Sequence, residues 1–236
     1  LVQLLSAFPV VDSRVFEGKK VCFDKLVYAV PGWRTYPWSN VWKEEPCLAP
    51  APLYMSFKAR VLHGLGEVPS LEQETVAAEA GCALTPAQRA REGPLRLLFL
   101  HRTGTRSLEN EVEAVEALQA IPGIEVSVVT FGFEQTFAEQ VHALREADIV
   151  VSVHGAGLVN TLFAKPLTGV VELLPRAYEK AHYFNNTAAF MCNIYRGIQA
   201  HHPHDPNKCI VDLKELVQVV GDLVKDLVAE RAKEAV

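Results

Sequence analysis

From Leu95 onward the hydrophobic pattern alternates between short apolar runs of strand length and longer stretches with helical spacing, and this constrains the fold more than any other property of the chain. The spacing predicts strands over Leu95–Leu100, Glu125–Phe131, Ile149–Val153, Gly169–Leu174 and Ile194–Ile198. It predicts helices over Glu109–Ile121, with Val112, Val115 and Leu118 on one face, and over Phe137–Ala147, Leu158–Phe163 and Ala181–Cys192. A last helix, Leu213–Ala229, carries a stripe of Leu213, Leu216, Val217, Val220, Leu223, Val224, Leu227 and Val228 that packs along one face, weakened slightly at Gly221. Strands separated by helices of this length are joined by right-handed crossovers, so the expected class is α/β with a parallel, Rossmann-like sheet.

In such sheets a ligand sits beyond the carboxyl ends of the strands, where strand order reverses. The stretch D-I-V-V-S-V-H-G-A-G-L-V-N, Asp148 to Asn160, has the right form for that edge. A central strand ends at His154, and Gly155, Ala156 and Gly157 make a small-residue turn into a helix N-terminus, where main-chain N–H groups favour an anion. The same glycines also suit a tight turn that only makes room for packing. Arg102 and Arg106, in H-R-T-G-T-R, follow the first strand on the same rim, where a guanidinium can fork onto diphosphate oxygens or remain solvated on a loop. Glu172 is an acid inside the apolar strand G-V-V-E-L-L-P, placed either to accept from ribose hydroxyls or to pair with an arginine or backbone amide. His154 can donate to a phosphate or a sugar, or be satisfied by the backbone, and Asn160 either faces the ligand or ties down the turn. Which pair of strands flanks the crevice does not follow from one sequence.

Before Leu95 the pattern is weaker. A short helix is expected over Leu1–Pro9, strands within Lys20–Val30 and a helix over Leu53–Leu65, where Leu53, Phe57, Val61 and Leu65 fall four apart. Pro31 to Pro52 holds Trp33, Trp38 and Trp42 and reads as an irregular loop, either pinned to the core by its aromatics or forming an acceptor-side lip. Glu67 to Pro94, polar and rich in alanine, reads as a linker. The expected division is residues 1–66, 67–94 and 95–236.

A formal net charge of −5 leaves no basic excess, which argues against nucleic acid as the partner and toward a small ligand at one local anion site. The five cysteines, Cys22, Cys47, Cys82, Cys192 and Cys209, include no C-x-x-C pair and leave both bridges and free thiols open. The cluster His201, His202, His204 and Cys209 has no zinc-site spacing and reads as a solvated loop, and no metal site is assigned. Asn185-Asn186-Thr187 is a glycosylation sequon that permits a secretory location. The absence of a G-x-G-x-x-G opening a helix argues against a dinucleotide oxidoreductase.

Several of these pieces together, L-F-L-H-R-T-G-T-R-S-L-E-N-E, F-A-E-Q-V, A-D-I-V-V-S-V-H-G-A-G-L-V-N-T-L-F and V-V-E-L-L-P, with Tyr183 and Tyr195 beyond them, resemble the family 61 glycosyltransferases. An earlier piece, V-C-F-D-K-L-V-Y-A-V, resembles the end of that family's N-terminal domain. The resemblance implies a GT-B architecture, with a Rossmann-like C-terminal domain holding the nucleotide sugar and an incomplete N-terminal α/β domain on the acceptor side. It implies inverting transfer of a pentose or N-acetylglucosamine from a UDP-sugar to a glycan or glycoprotein, in the Golgi or endoplasmic reticulum lumen. A non-catalytic nucleotide-sugar-binding module derived from such an enzyme is the alternative. UDP-sugar is the expected donor substrate, no further cofactor is named, and membrane attachment is expected only through an anchor upstream of Leu1. The resemblance places Arg102, Arg106, His154, Gly155, Ala156, Gly157, Asn160 and Glu172 at the donor site. Two departures stand out: His101 lies where a serine is common, and Val159 where a threonine is common. The general base is not identified.

Overall fold

The computed structural model describes residues 51–68, 84, 86–132, 134–176, 183–201 and 208–233. The expected elements before residue 51, the tryptophan-bearing loop with them, and much of the polar stretch before Leu95 lie outside these residues.

Five strands form one parallel sheet: β1 (Leu95–His101), β3 (Ile124–Thr130), β4 (Ile149–Val153), β5 (Gly169–Pro175) and β6 (Ile194–Ala200), in the order β3-β1-β4-β5-β6. The chain steps from β1 to β3 on one side, then crosses back past β1 to β4 and continues outward, so strand order reverses between β1 and β4. The sequence pattern explains the positions. Every residue of β4 and β5 is buried, as a continuous apolar run requires, whereas β3 exposes Glu125, Ser127, Val128 and Thr130 and takes an edge. A second, two-stranded parallel ladder joins β2 (Ser107–Leu108) to β7 (Lys208–Cys209), and His201 bridges Ile210 beside it. These short elements are not visible in the hydrophobic pattern.

The helices are α1 (Ala51–Gly64), α2 (Pro86–Ala90), α3 (Glu111–Gln119), α4 (Phe137–Glu146), α5 (Tyr183–Phe190) and α6 (Leu213–Ala232). Helix α4 opens on a capping box, in which the Thr136 hydroxyl accepts from the Glu139 N–H while the Glu139 carboxylate accepts from the Thr136 N–H. Asp212 caps α6 by accepting from the N–H groups of Lys214 (2.8 Å) and Glu215 (3.0 Å), which holds its carboxyl below the usual carboxylate range.

One core lies between the sheet and α3 and α6, where Leu97, Phe99, Val151 and Leu173 meet Ala114, Leu118, Leu216, Val220 and Leu223. The approach of α6 is close: a Cβ on Gly169 would stand 2.4 Å from Leu223 Cδ2. On the opposite face Leu98, Leu100, Val150 and Val170 meet Leu144 of α4, Leu158 and Phe184. Helix α1 adds a further layer, with Val61 and Leu62 against Val141, Phe163 and Phe190. It is fixed there by buried Lys58, whose Nζ donates to Ala164 O at 2.6 Å, and by a Tyr54–Phe190 stack at 5.3 Å.

Three sequence expectations change. On α3 the inward residues are Ala114 and Leu118 with Val115 beside them, while Val112 is 68% exposed. Val112 lies two residues, about 200°, from Ala114 around a helix, so it cannot share that side's burial. On α6 the stripe ends at Leu227, and Val228 points outward. The segment after β4 is a 3-10 helix, Ala156–Phe163, tightened by the Thr161 hydroxyl donating to Leu158 O at 2.7 Å.

At the amino end of the sheet, Asp148 gathers three separate segments. Its Oδ2 accepts from Arg91 at 2.5 Å and from the Arg96 N–H at 2.7 Å, and its Oδ1 accepts from Arg231 of α6 at 2.8 Å. Nearby, Gln88 of α2 donates to Pro166 O at 2.8 Å. The last part of the stretch read as a linker is therefore fastened to the sheet. Cys192 is disulfide-bonded, whereas Cys209 is a buried free thiol whose pKa burial pushes up to about 11.

Candidate functional site

Strand order reverses between β1 and β4, and in sheets of this kind a ligand sits beyond the carboxyl ends of such a strand pair. Arg102 follows the first and His154 to Gly157 follow the second, so the two groups that the sequence left unpaired face each other. Gly155 is extended (φ 170°), and its need for glycine is one of space: a Cβ there would lie 2.1 Å from Arg102 Nη1. The guanidinium thus lies against the backbone of the turn. Its Nε donates to Thr105 O at 2.6 Å, which folds the arginine back along its own loop. That loop turns through left-handed residues at Gly104 (φ 75°) and Arg106 (φ 64°), the second being a conformation that costs a non-glycine residue roughly 1–2 kcal/mol. Strain of this kind clusters at functional sites.

The first bond of the 3-10 helix runs from the Leu158 N–H to Gly155 O at 3.1 Å. The N–H groups of Ala156 and Gly157 precede it and have no intrahelical acceptor. Ala156 is exposed and Gly157 half-buried, beside Leu100 and Phe131. Amides and a guanidinium on one rim form a positively polarised lip suited to an anion.

Behind the lip lies a buried chain of polar groups. His154, 5% exposed, hydrogen-bonds through Nδ1 to Glu172 Oε1, and the Tyr195 hydroxyl donates to Glu172 Oε2 at 2.7 Å. The phenol fits because residue 197 is glycine, where a Cβ would come 3.0 Å from the Tyr195 hydroxyl. Burial, and then the neighbouring Glu172 carboxylate, raise the Tyr195 pKa well above its ordinary value. The rings of Phe184 and Tyr183 flank the imidazole, with centroids at 5.4 and 6.0 Å.

The structure therefore brings Arg102, Gly155, Ala156 and Gly157 to one lip and joins His154 to Glu172 just beneath it. Arg106 closes the arginine loop. Glu172, expected to meet ribose hydroxyls, is fully buried with an internal partner on each oxygen. Asn160 donates to Gln140 Oε1 at 2.9 Å and ties the 3-10 helix to α4. Sequence reasoning did not assign a role to Tyr195, although it stood among the residues carrying the family resemblance. It also left aside the pair His101–Glu111, joined at 2.5 Å at the end of β1. Of the histidine-rich segment, Cys209 is core and His201 bridges Ile210, and among the described residues no three metal-binding side chains converge. The sequon lies within α5, where buried Thr187 donates its hydroxyl back one turn to Tyr183 O at 2.9 Å.

The sequence profile described as Glycosyltransferase 61 matches residues 19–171, more than half of the 236-residue chain. The chain belongs to the glycosyltransferase 61 family. Over 169 residues, 70% of its length, this family 61 chain is 28% identical to the EGF domain-specific O-linked N-acetylglucosamine transferase of Gallus gallus. It is 29% identical over the same length to the Rattus norvegicus protein of that name. Over 88 residues, 37% of the chain, it is 40% identical to the protein O-linked-mannose beta-1,4-N-acetylglucosaminyltransferase 2 of Homo sapiens, covering 15% of that protein. The family 61 chain spans 28% of the length of the Gallus gallus and Rattus norvegicus relatives. The matched region includes the Arg102 loop and the His154–Gly157 turn, and ends just before Glu172.

Proposed function

We propose that this chain forms the donor-binding side of an inverting glycosyltransferase of GT-B architecture. Residues 95–236 are its nucleotide-sugar domain, 1–66 part of the acceptor-side domain, and 67–94 the connection. The observation that carries the reading is the Arg102 guanidinium against Gly155 at the point where strand order reverses, in a chain of this family. The donor is a UDP-sugar, with its diphosphate on the Ala156 and Gly157 N–H groups and on Arg102, and with Arg106 on the same side. These fixed dipoles and cations stabilise the charge that develops on the departing diphosphate as an acceptor hydroxyl attacks the anomeric carbon. His154 meets the donor from beneath the turn. Glu172 and Tyr195 act through it, holding the imbedded imidazole in one orientation.

The relatives' names point to N-acetylglucosamine as the sugar and to an EGF domain or an O-mannosylated protein as the acceptor. Such acceptors, with the bridged Cys192, favour the lumen of the endoplasmic reticulum or Golgi. The test is a thermal-shift series with UDP, UDP-N-acetylglucosamine, UDP-xylose and UDP-arabinose on wild type and Arg102→Ala, followed by transfer assays with the donor that stabilises most. A shift in wild type that is largely lost in Arg102→Ala supports the reading. An equal shift in both removes Arg102 from the phosphate site, and binding without transfer favours a module that only binds.

A further inference from the structure

Transfer to a hydroxyl requires a group that takes the acceptor's proton, and the lip contains none: its amides and guanidinium are donors. Among the described residues, the acidic or basic groups behind or beside it are Glu172, His154 and the pair His101–Glu111. Glu172 is fully buried, with both oxygens engaged, and His154 is 5% exposed with its Nδ1 on that carboxylate. His101 differs from both. It is the last residue of β1, immediately before Arg102, so it stands on the carboxyl rim at the reversal of strand order. Its Nδ1 lies 2.5 Å from Glu111 Oε1 in the first turn of α3, and its side chain is 36% exposed while that of Glu111 is 19% exposed. Among the described residues its Nε2 has no hydrogen-bond partner. A carboxylate at Nδ1 fixes the N–H on that nitrogen and leaves the lone pair on Nε2, the tautomer a proton acceptor needs.

We infer that His101 is the general base of the transfer, oriented by Glu111, with Nε2 open toward the acceptor. The inference rests on the donor-site reading above. As the acceptor oxygen forms its bond to the anomeric carbon, the bond from that carbon to the diphosphate oxygen breaks and its electron pair leaves with UDP. The acceptor proton passes to His101 Nε2. The resulting imidazolium is held by the Glu111 carboxylate until water takes the proton. Because a serine is common at this place in the family, the assignment is specific to chains that carry a histidine here.

The experiment uses the full protein with UDP-N-acetylglucosamine and an EGF-domain or O-mannosyl peptide acceptor, and compares wild type with His101→Ser and Glu111→Gln. Three quantities are read: kcat, the Kd for UDP, and Tm. The expected result for His101→Ser is a kcat lower by about 100-fold or more, the range for a positioned base, with Kd and Tm unchanged. Glu111→Gln is expected to lose less, about tenfold, because the ring keeps a polar neighbour but not the carboxylate. An unchanged kcat in His101→Ser overturns the inference, as does a loss confined to UDP affinity or to Tm. If wild type binds UDP and transfers nothing, the base assignment falls and the donor site stands. If wild type binds no UDP, both fall.

Discussion

The hydroxyl of Tyr195, on β6, donates across 2.7 Å to the second oxygen of Glu172 on β5. That carboxylate is fully buried and already serves His154 with its first oxygen, so the phenol completes the satisfaction of an acid that would otherwise be costly to enclose.

Tyr195→Phe leaves one oxygen of Glu172 without its donor. The expected cost is about 1–3 kcal/mol of stability, measured by chemical denaturation. UDP affinity is expected to fall as well, because the Glu172 carboxylate that orients His154 is held less firmly. A variant as stable as wild type contradicts the buried chain described above.

The same hydroxyl gives the protein an alkaline limit. The Tyr195 pKa is raised in the folded state above its ordinary value of 10.0, by burial first and by Glu172 second, so the folded protein retains the proton more tightly than the unfolded chain. The associated stability is complete below pH 10 and is lost as pH rises beyond it. Denaturation midpoints collected from pH 8 to about 11 are expected to fall at the upper end, and less steeply in Tyr195→Phe, with Cys209 contributing in the same direction.

Gly155→Ala tests the lip without attacking the fold. The added Cβ meets only the far end of the Arg102 side chain, which can swing away, so Tm is expected to change little. Displacing a guanidinium from a phosphate removes a charge-assisted bond of about 1.5–3 kcal/mol, or roughly 10–100-fold in UDP affinity by calorimetry. Unaltered affinity would place the diphosphate elsewhere.

Arg106→Gly separates strain from function. Glycine adopts the left-handed backbone of this position without steric penalty, so stability is expected to stay within about 1 kcal/mol of wild type or rise. UDP binding is expected to weaken. Thermal shift with and without UDP reads both effects in one experiment.

Gly169→Ala acts at the opposite extreme, on packing alone. Its Cβ would stand 2.4 Å from Leu223 Cδ2 and 3.0 Å from Leu223 Cγ, so the buried Leu223 side chain must be displaced, or α6 with it. The expected loss is about 1–3 kcal/mol, with UDP affinity per folded molecule unchanged.

What the sequence disclosed and what it withheld follow from the range of each interaction. The β4 strand, the turn after it and the final helix were legible because their residues are consecutive or recur at a fixed period. Val112 was misplaced because three residues spaced by three drift around a helix, and only the position of the sheet decides which part of that arc faces inward. The Tyr195–Glu172 bond depends on the register that sets Glu172 beside Gly197, and register between crossover-linked strands is not written in either strand alone. The contact of Arg102 with Gly155 was foreseeable as a shared rim but not as a pairing, since it required the strand order. The two-residue strands β2 and β7 are too short for any periodic signal.

At the far end of the sheet from the Arg102–Gly155 lip, Asp148 holds a residue just before β1, the start of β1 and the last turns of α6 with a single carboxylate. The molecule therefore divides its labour along the strand axis, with one end acting as a buckle and the other presenting loops. Reinforcing the buckled end should harden the protein against heat while leaving the Arg102–Gly155 lip undisturbed, which makes that end the natural place to begin engineering it.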